Sequence, residues 1–298
     1  MADQIVHLEN DFIKVGISPD CGASLAYFQL KNAKNFNIMR CSDLKTKRKK
    51  DVLYMSMFAM IPYPFRIKSG EFTYWGIKRF VPQTHPKFDC PIHGDGWCSK
   101  WTVVSKDETS VKLSLNHDKK KGYPFSYEAL IVYRLDEKKL NVELSLTNRA
   151  LMPMPCGFGL HPFFTRTSDV KLTFNTKNVW YNGNDPIDFP YKTPEIWSFK
   201  ESKKLGDTIF DTCFGGFDGT AKIEWPKEKV SVRLDCDDLF SHVALYAPYR
   251  RNFFCLEPAT MTCDAFNLAS KGIIGTGIQS IGKDETITGN VSFTVEEF

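Results

Sequence analysis

Lys139-Leu-Asn-Val-Glu-Leu-Ser-Leu-Thr-Asn148 is the clearest structural signal in the chain. Leu140, Val142, Leu144 and Leu146 alternate with polar residues, so every second side chain is apolar. Successive side chains of a β-strand point to opposite faces, and this period therefore puts one face against a core and the other in water. The stretch predicts a half-buried strand.

The same alternation recurs elsewhere and sets the expected fold class. It is found at Val111, Leu113 and Leu115, at Val230, Val232 and Leu234, and at Val291, Phe293 and Val295. Turn residues such as Asp136-Glu-Lys138 and Phe217-Asp-Gly219 punctuate the chain, and no long stretch shows a helical period. A sheet with one apolar face must pack against another layer. We therefore predict an all-β protein, a large antiparallel β-sandwich.

Composition narrows the possible partners and the cellular compartment. With 298 residues and 42% hydrophobic content, the chain can form one large core, so a single domain over residues 1–298 is expected. A net charge of +4 favours neither nucleic acid nor a membrane as partner, and the basic run Lys45–Lys50 is interpreted as a solvated loop. Nine cysteines without a C-x-x-C pair, together with an N-terminus lacking a secretory signal, predict a cytoplasmic protein with reduced thiols.

Five polar residues stand beside proline, glycine or aromatic residues, where scaffolds commonly present functional groups. These candidates are Arg66, His93, His161, Asp211 and Glu257. Two imidazoles, two carboxylates and a guanidinium suit an enzyme that binds a polyhydroxyl substrate and moves its protons.

The individual candidates also have structural explanations. His93 lies between Cys90 and Cys98, but the spacing matches no standard zinc signature and offers no fourth ligand, so we expect no metal. His161, read by itself, fits a buried structural histidine equally well. Glu257 ends the apolar run Phe253–Leu256, where a carboxylate is costly unless it is hydrogen-bonded or functional.

The order of the motifs resembles the aldose 1-epimerase (galactose mutarotase) family, closest to its bacterial YphB-like branch. The similarity rests on Pro62-Tyr-Pro-Phe-Arg66, His93-Gly94, Gly122-Tyr-Pro-Phe125, Gly159-Leu-His161-Pro-Phe163, Asp211-Thr-Cys-Phe214 and Glu257-Pro258, and it covers nearly the whole chain. The resemblance implies a sandwich of the galactose-mutarotase supersandwich type. It implies Glu257 as general base, His161 as general acid, and Arg66, His93 and Asp211 as sugar-binding residues. Phe65 replaces an asparagine that the family usually has before the arginine.

This resemblance implies interconversion of the α and β anomers of a free aldohexose, a small-molecule sugar. Such chemistry needs one base and one acid and no cofactor. A carboxylate near His161 is expected to favour its imidazolium form. Trp75, Trp97 or Phe65 are candidates to stack on the sugar.

Three alternatives remain at this point. A glycosidase would need a second, equally placed carboxylate, and none is identified. A non-catalytic carbohydrate-binding or sensing module would keep the fold without the chemistry. A hexose-6-phosphate mutarotase would need extra cations, for which Lys78, Arg79, Arg250 and Arg251 are available.

Overall fold

A computed structural model describes residues 5–31, 34–42, 51–183 and 189–298, with the side chain of Lys121 excluded. The basic run Lys45–Lys50 lies outside the described residues. The strands, in chain order, are β1 (Val6–Glu9), β2 (Ile13–Ser18), β3 (Ser24–Leu30), β4 (Asn37–Met39), β5 (Met57–Met60), β6 (Glu71–Tyr74), β7 (Ile77–Phe80), β8 (Thr102–Lys106), β9 (Ser110–His117), β10 (Tyr127–Asp136), β11 (Lys139–Asn148), β12 (Met154–Cys156), β13 (Gly159–Thr165), β14 (Lys171–Phe174), β15 (Asn178–Asn182), β16 (Tyr191–Lys192), β17 (Phe199–Lys204), β18 (Phe210–Gly215), β19 (Thr220–Trp225), β20 (Val230–Cys236), β21 (His242–Ala247), β22 (Phe253–Ala259), β23 (Gln279–Ile281) and β24 (Thr286–Glu297).

Helical structure is sparse, as the lack of a helical period predicts. The α-helix of the described residues is α1 (Ala265–Ser270). Single 3₁₀ turns occupy Val52–Tyr54, Lys68–Gly70, Gly96–Cys98, Lys119–Lys121, Glu195–Trp197 and Pro226–Glu228. No helix in the described part of the chain combines the length and the apolar character needed to cross a membrane.

A nine-stranded antiparallel sheet contains the strands that the sequence predicts most clearly. Its order is β17-β14-β19-β20-β24-β11-β10-β9-β8. The alternating apolar residues of β9, β11, β20 and β24 are buried, and most of the residues between them are partly or fully exposed. The predicted turn at Asp136-Glu-Lys138 closes the β10–β11 hairpin, in which Asp136 pairs with Lys139. These four strand predictions are confirmed.

An eleven-stranded sheet forms the second layer. Its order is β1-β2-β3-β4-β13-β22-β21-β18-β15-β16, and β5 pairs with both β13 and β3. Two short two-stranded sheets, the β6–β7 hairpin and the β12–β23 pair, lie outside both large sheets. The pairings between the named strands are antiparallel, as predicted.

Aromatic side chains join the two sheets. Phe293 on β24 is fully buried and lies with its ring centroid 6.5 Å from Phe28 on β3 and 6.2 Å from Phe164 on β13. Phe174 on β14 meets Phe214 on β18 at 6.0 Å. Both layers bury their apolar faces in this shared core, which confirms the β-sandwich.

The centre of the eleven-stranded sheet is covered on both faces, and this positions the site. On β13 and β22, Leu160, Phe164 and Leu256 belong to the core between the sheets. Phe163 and Cys255 belong instead to a second buried cluster on the opposite face. Because side chains alternate along a strand, His161 and Glu257 share that second face.

Candidate active site

Two neighbouring strands bring His161 and Glu257 together. The β13–β22 register pairs Gly159 with Ala259 and Phe163 with Cys255, and the two site residues lie midway between those pairs. Nε2 of His161 is 3.3 Å from Oε1 of Glu257. The residues are only 8% and 3% exposed. The sheet thus holds an imidazole and a carboxyl group in contact and largely shielded from water.

Two connecting segments carry Arg66 and His93 to the same place. The backbone N–H of His93 donates to the carbonyl of Phe65 over 2.8 Å, so the segments are tied together just beside both side chains. Gly94 has φ +68°, and a Cβ there would come 1.9 Å from the carbonyl oxygen of Ile61. Only glycine therefore permits this close approach of the backbones.

All five predicted site residues line one cavity of about 310 Å³. Asp211 reaches it from β18, which follows β22 and β21 in the sheet order. Nη1 of Arg66 donates to the hydroxyl of Tyr181 over 3.4 Å. The remaining lining residues are Arg40, Leu53, Phe58, Phe65, Lys87, Phe88, Ile92, Phe163, Tyr181, Thr212, Cys213, Ala244, Tyr246, Phe253 and Cys263. A cavity of this size, mostly apolar with a few convergent polar groups, is typical of a small-molecule site.

Packing holds the two imidazoles in place. His161 stacks on Phe163 with centroids 4.5 Å apart and an angle of 18°, and Phe58 lies 4.6 Å away. His93 meets Trp97 at 5.3 Å and His161 at 5.2 Å, both edge to face. Neither Nδ1 atom has a hydrogen-bond partner among the described residues. The orientation of each ring is therefore determined mainly by its aromatic neighbours.

Burial shifts the pKa values of the site in opposite directions for acids and bases. It raises the pKa of Glu257 well above 4.5, and Asp211 adds to the effect while Arg66 opposes it. Burial, together with the charge of Arg40, lowers the pKa of His161 from 6.5 to about 3. Burial also lowers the pKa of His93 and raises that of Asp211. The charged forms lose their hydration in this cavity.

These shifts correct the expectation that Glu257 favours the imidazolium form of His161. Desolvation penalises both charged forms, so burial favours a protonated carboxyl beside a neutral imidazole over the ion pair. That arrangement contains one proton, the same number as a carboxylate–imidazolium ion pair. The two forms differ only in which side of the 3.3 Å contact binds the proton.

Within the described residues, one group of side chains has the composition and spacing to hold a metal ion. Cys90, His93 and Cys98 do not converge on one point in this part of the chain; the metal-capable group found there is His161, Cys255 and Glu257, with ligand atoms within 4.8 Å of one another. Structural zinc uses four ligands and thiolate sulfur. Without a metal ion, burial raises the pKa of Cys255 well above 9.0 and so favours its protonated thiol. The histidine and the glutamate of this group are the acid/base pair described above, and the buried thiol of Cys255 lies beside them.

The three aromatic residues suggested for sugar stacking lie in different environments. Phe65 lines the cavity with a backbone φ of 60°, at the position where the family usually has asparagine. Trp97 is fully buried behind His93, and Trp75 is 67% exposed in the turn between β6 and β7. Neither tryptophan lines the cavity, so neither can stack on a sugar bound there.

Several lining residues have no sequence motif that would single them out. Arg40 is one, because Ile-Met-Arg-Cys reads as ordinary strand and loop. A second cavity of about 480 Å³ adjoins the first and shares Arg66 with it. Its charged lining residues besides Arg66 are Lys68, Lys87, Lys271, Asp89 and Asp264. The cations suggested by the sequence, Lys78, Arg79, Arg250 and Arg251, line neither cavity.

Comparison with known proteins agrees with the fold and with the motifs. Residues 4–280 match the family model for aldose 1-epimerases. The chain belongs to the aldose 1-epimerase family. The uncharacterized protein YphB of Escherichia coli (strain K12) is 26% identical over 251 residues, covering 81% of this chain and 84% of YphB.

Solved structures of this family share the fold along the full length. A crystal structure from Escherichia coli K12 superposes with a TM-score of 0.88 and 21% identity, covering 99% of each chain. The GalM/aldose epimerase homologue from C. elegans gives a TM-score of 0.82 at 17% identity, again covering 99% of both chains. The predicted galactose-mutarotase type of sandwich is therefore confirmed, and family membership makes the chain an aldose 1-epimerase-like isomerase.

Proposed function

We propose that this aldose 1-epimerase family member interconverts the α and β anomers of a free aldohexose, with Glu257 as general base and His161 as general acid. The observation that carries the proposal is the contact of 3.3 Å between these two groups on the wall of a largely apolar cavity. A base and an acid that share one proton are what ring opening requires.

The reaction begins from the form in which the shared proton is on His161. A sugar hydroxyl that donates to Glu257 favours this form, because a hydrogen bond stabilises the carboxylate. Glu257 takes the proton of the C1 hydroxyl while the bond from C1 to the ring oxygen breaks. His161 gives its proton to that oxygen, and the products are an open-chain aldehyde, protonated Glu257 and neutral His161.

Ring closure reverses these transfers on the other face of the aldehyde. Rotation about the C1–C2 bond exposes that face to the former ring oxygen. The oxygen attacks C1 and returns its proton to His161, while the aldehyde oxygen takes the proton from Glu257. The pair ends with the single proton with which it began, and no metal or organic cofactor takes part.

The other three polar residues bind the sugar in this proposal. The guanidinium of Arg66 donates to hydroxyl oxygens, and the carboxylate of Asp211 accepts from hydroxyl groups. His93, whose pKa is lowered by burial, is neutral and can hydrogen-bond the ring oxygen or a neighbouring hydroxyl. These contacts hold C1 and the ring oxygen near the acid/base pair.

Polarimetry of freshly dissolved sugars tests this function. The purified protein should speed anomeric equilibration of at least one aldohexose beyond the buffer rate, and a chelator should leave the rate unchanged. Sugar binding in calorimetry with no acceleration across a broad sugar panel would support the non-catalytic binding module instead.

Hexose-6-phosphate is the second candidate substrate, and the cations around the adjoining cavity favour it. Lys68, Lys87 and Lys271 line this cavity together with Arg66, and the carboxylates in its lining are Asp89 and Asp264. Four cations against two carboxylates leave a net positive charge around this cavity, which suits a phosphate group. Including 6-phosphates in the polarimetry panel distinguishes the two substrates.

We further propose that residues 1–298 act as one domain in the cytoplasm. One hydrophobic cluster runs from Val6 to Val295 and includes both large sheets. All nine cysteines are free thiols, which suits a reducing compartment.

A further inference from the structure

Arg40 is fixed beside the active site by backbone groups. It directly follows β4, and its own N–H donates to the carbonyl of Phe163 over 2.8 Å. Its Nε donates to the carbonyl of Met55 over 2.8 Å, and Nη2 donates to that of Leu53 over 2.5 Å. These contacts leave little freedom to a guanidinium that also lines the cavity.

The ring of Phe163 separates this guanidinium from the general acid. The guanidinium carbon of Arg40 is 3.5 Å from the centre of the Phe163 ring. The other neighbour in the stack is His161, whose centroid is 4.5 Å from that of Phe163. These two spacings put the guanidinium carbon no more than 8.0 Å from the imidazole centre. The intervening medium is an apolar ring, which screens charge poorly.

The guanidinium of Arg40 has no ion-pair partner within the part of the chain that the structure describes, although Asp51 lies near enough to favour its charged form. Burial lowers the pKa of Arg40 to about 10, which still leaves it charged at neutral pH. The charged and titratable groups packed around His161 are Arg40, Glu257, Cys255 and His93, and Arg66 and Asp211 act on Glu257. Arg40 and Arg66 are the permanent cations of this set, and Arg40 is the one that lowers the pKa of His161.

We propose that Arg40 is a positioning residue that restricts the Glu257–His161 pair to a single shared proton. This inference rests on the proposed acid/base function and identifies what maintains the protonation state that it needs. A second proton would put an imidazolium within 8.0 Å of the guanidinium, with only Phe163 between them. Such like-charge repulsion disfavours the doubly protonated pair.

The proposal predicts a displaced pH profile. The one-proton pair is active, so the acidic limb of kcat/KM reports gain of a second proton and the basic limb reports loss of the first. Removing the positive charge makes protons bind more readily in both steps. At 8 Å and an effective dielectric constant of about 20, the shift is about 1.5 pKa units. Both limbs of the pH profile of kcat/KM should therefore move to higher pH in Arg40→Met. This substitution removes the charge and keeps an unbranched side chain.

Two further variants separate charge from packing. Arg40→Lys retains the cation but loses the planar group over Phe163, and its profile should stay within about half a pH unit of the wild type. Arg166→Met is the matched control, since Arg166 is also partly buried and also donates to backbone carbonyls, those of Pro248 and Gly206. It should leave the profile unchanged.

NMR titration of the His161 ring tests the proposal without any turnover. The resonance, assigned by its loss in His161→Gln, should titrate near pH 3 in the wild type and about 1.5 units higher in Arg40→Met. A wild-type value near 6.5, or equal His161 values in wild type and Arg40→Met, would overturn the role of Arg40. Should the shift occur in a protein that accelerates no sugar, the proposed function fails while the electrostatic role remains.

Discussion

The buried acid/base pair makes a quantitative prediction about stability and pH. Glu257→Gln and His161→Gln should change the free energy of unfolding with opposite pH dependences. Each substitution removes one titrating group and retains a neutral polar side chain of similar reach. The prediction depends only on the burial of the two groups, so it can be tested before any substrate is known.

The direction in which Glu257 changes the free energy of unfolding with pH follows from its raised pKa. Below pH 4.5 the carboxyl is protonated in both the folded and the unfolded states, and it contributes no pH dependence. Above 4.5 the unfolded side chain loses its proton and the folded one keeps it. Stability from this group therefore falls as pH rises, by about 1.4 kcal/mol per unit, until the folded pKa is reached.

His161 acts in the opposite direction. Its pKa is lowered from 6.5 to about 3 on folding, so between these values only the unfolded imidazole is protonated. Stability from this group is present above pH 6.5 and is lost as pH falls, again by about 1.4 kcal/mol per unit. Between pH 4.5 and 6.5 the wild-type pair binds one proton in both states, and the two slopes cancel.

Urea unfolding of the three proteins at half-unit steps from pH 4.5 to 6.5 measures these contributions. Relative to the wild type, Glu257→Gln should gain roughly 2 kcal/mol across the interval as pH rises, and His161→Gln should lose about as much. Subtraction of the wild-type curve removes the background of all other titrating groups. Two flat difference curves would show that the groups titrate as they do in water, and the burial argument would then be refuted.

Three further predictions address catalysis, binding and packing. Glu257→Gln should lower kcat by at least about 10²-fold while sugar binding persists in calorimetry, because the amide cannot accept the hydroxyl proton; unchanged turnover would remove Glu257 from the mechanism. Asp211→Ala should weaken sugar binding by about 10-fold or more, since it removes a charged hydrogen-bond acceptor; calorimetry showing wild-type affinity would contradict its binding role. Phe293→Ala should cost about 3–5 kcal/mol in urea unfolding, because Phe293 is fully buried between the sheets; a loss below about 1 kcal/mol would mean that the sheets do not depend on this contact.

The strands that the sequence pattern predicts most clearly belong mainly to one sheet. β9, β11, β20 and β24 all lie in the nine-stranded sheet, where one face is buried and the other is largely in water. This asymmetry imposes alternation on the sequence. β13 and β22 in the other sheet are buried on both faces, so they carry no alternation and could be found only through their polar residues.

The site itself was partly accessible to sequence reasoning. The five candidates do share one cavity, and their unusual residue contexts were enough to single them out. Arg40 was missed because a cation between a strand and a loop is ordinary in sequence. The stacking role suggested for Trp75 and Trp97 was wrong for a related reason, since aromatic residues look alike in sequence whether they lie in a core, on a surface or in a cavity.

By itself, the sequence determined the residue types available for chemistry and the all-β sandwich, because both are local properties of composition and period. Only the tertiary structure decided the register that puts Nε2 of His161 3.3 Å from Oε1 of Glu257, the stack that brings Arg40 near His161, and the protonation of the pair. The physical reason is desolvation. A carboxylate and an imidazole in water attract as ions, whereas the same groups inside this cavity lose the hydration that makes the ions stable, and that loss depends on residues far apart in the chain.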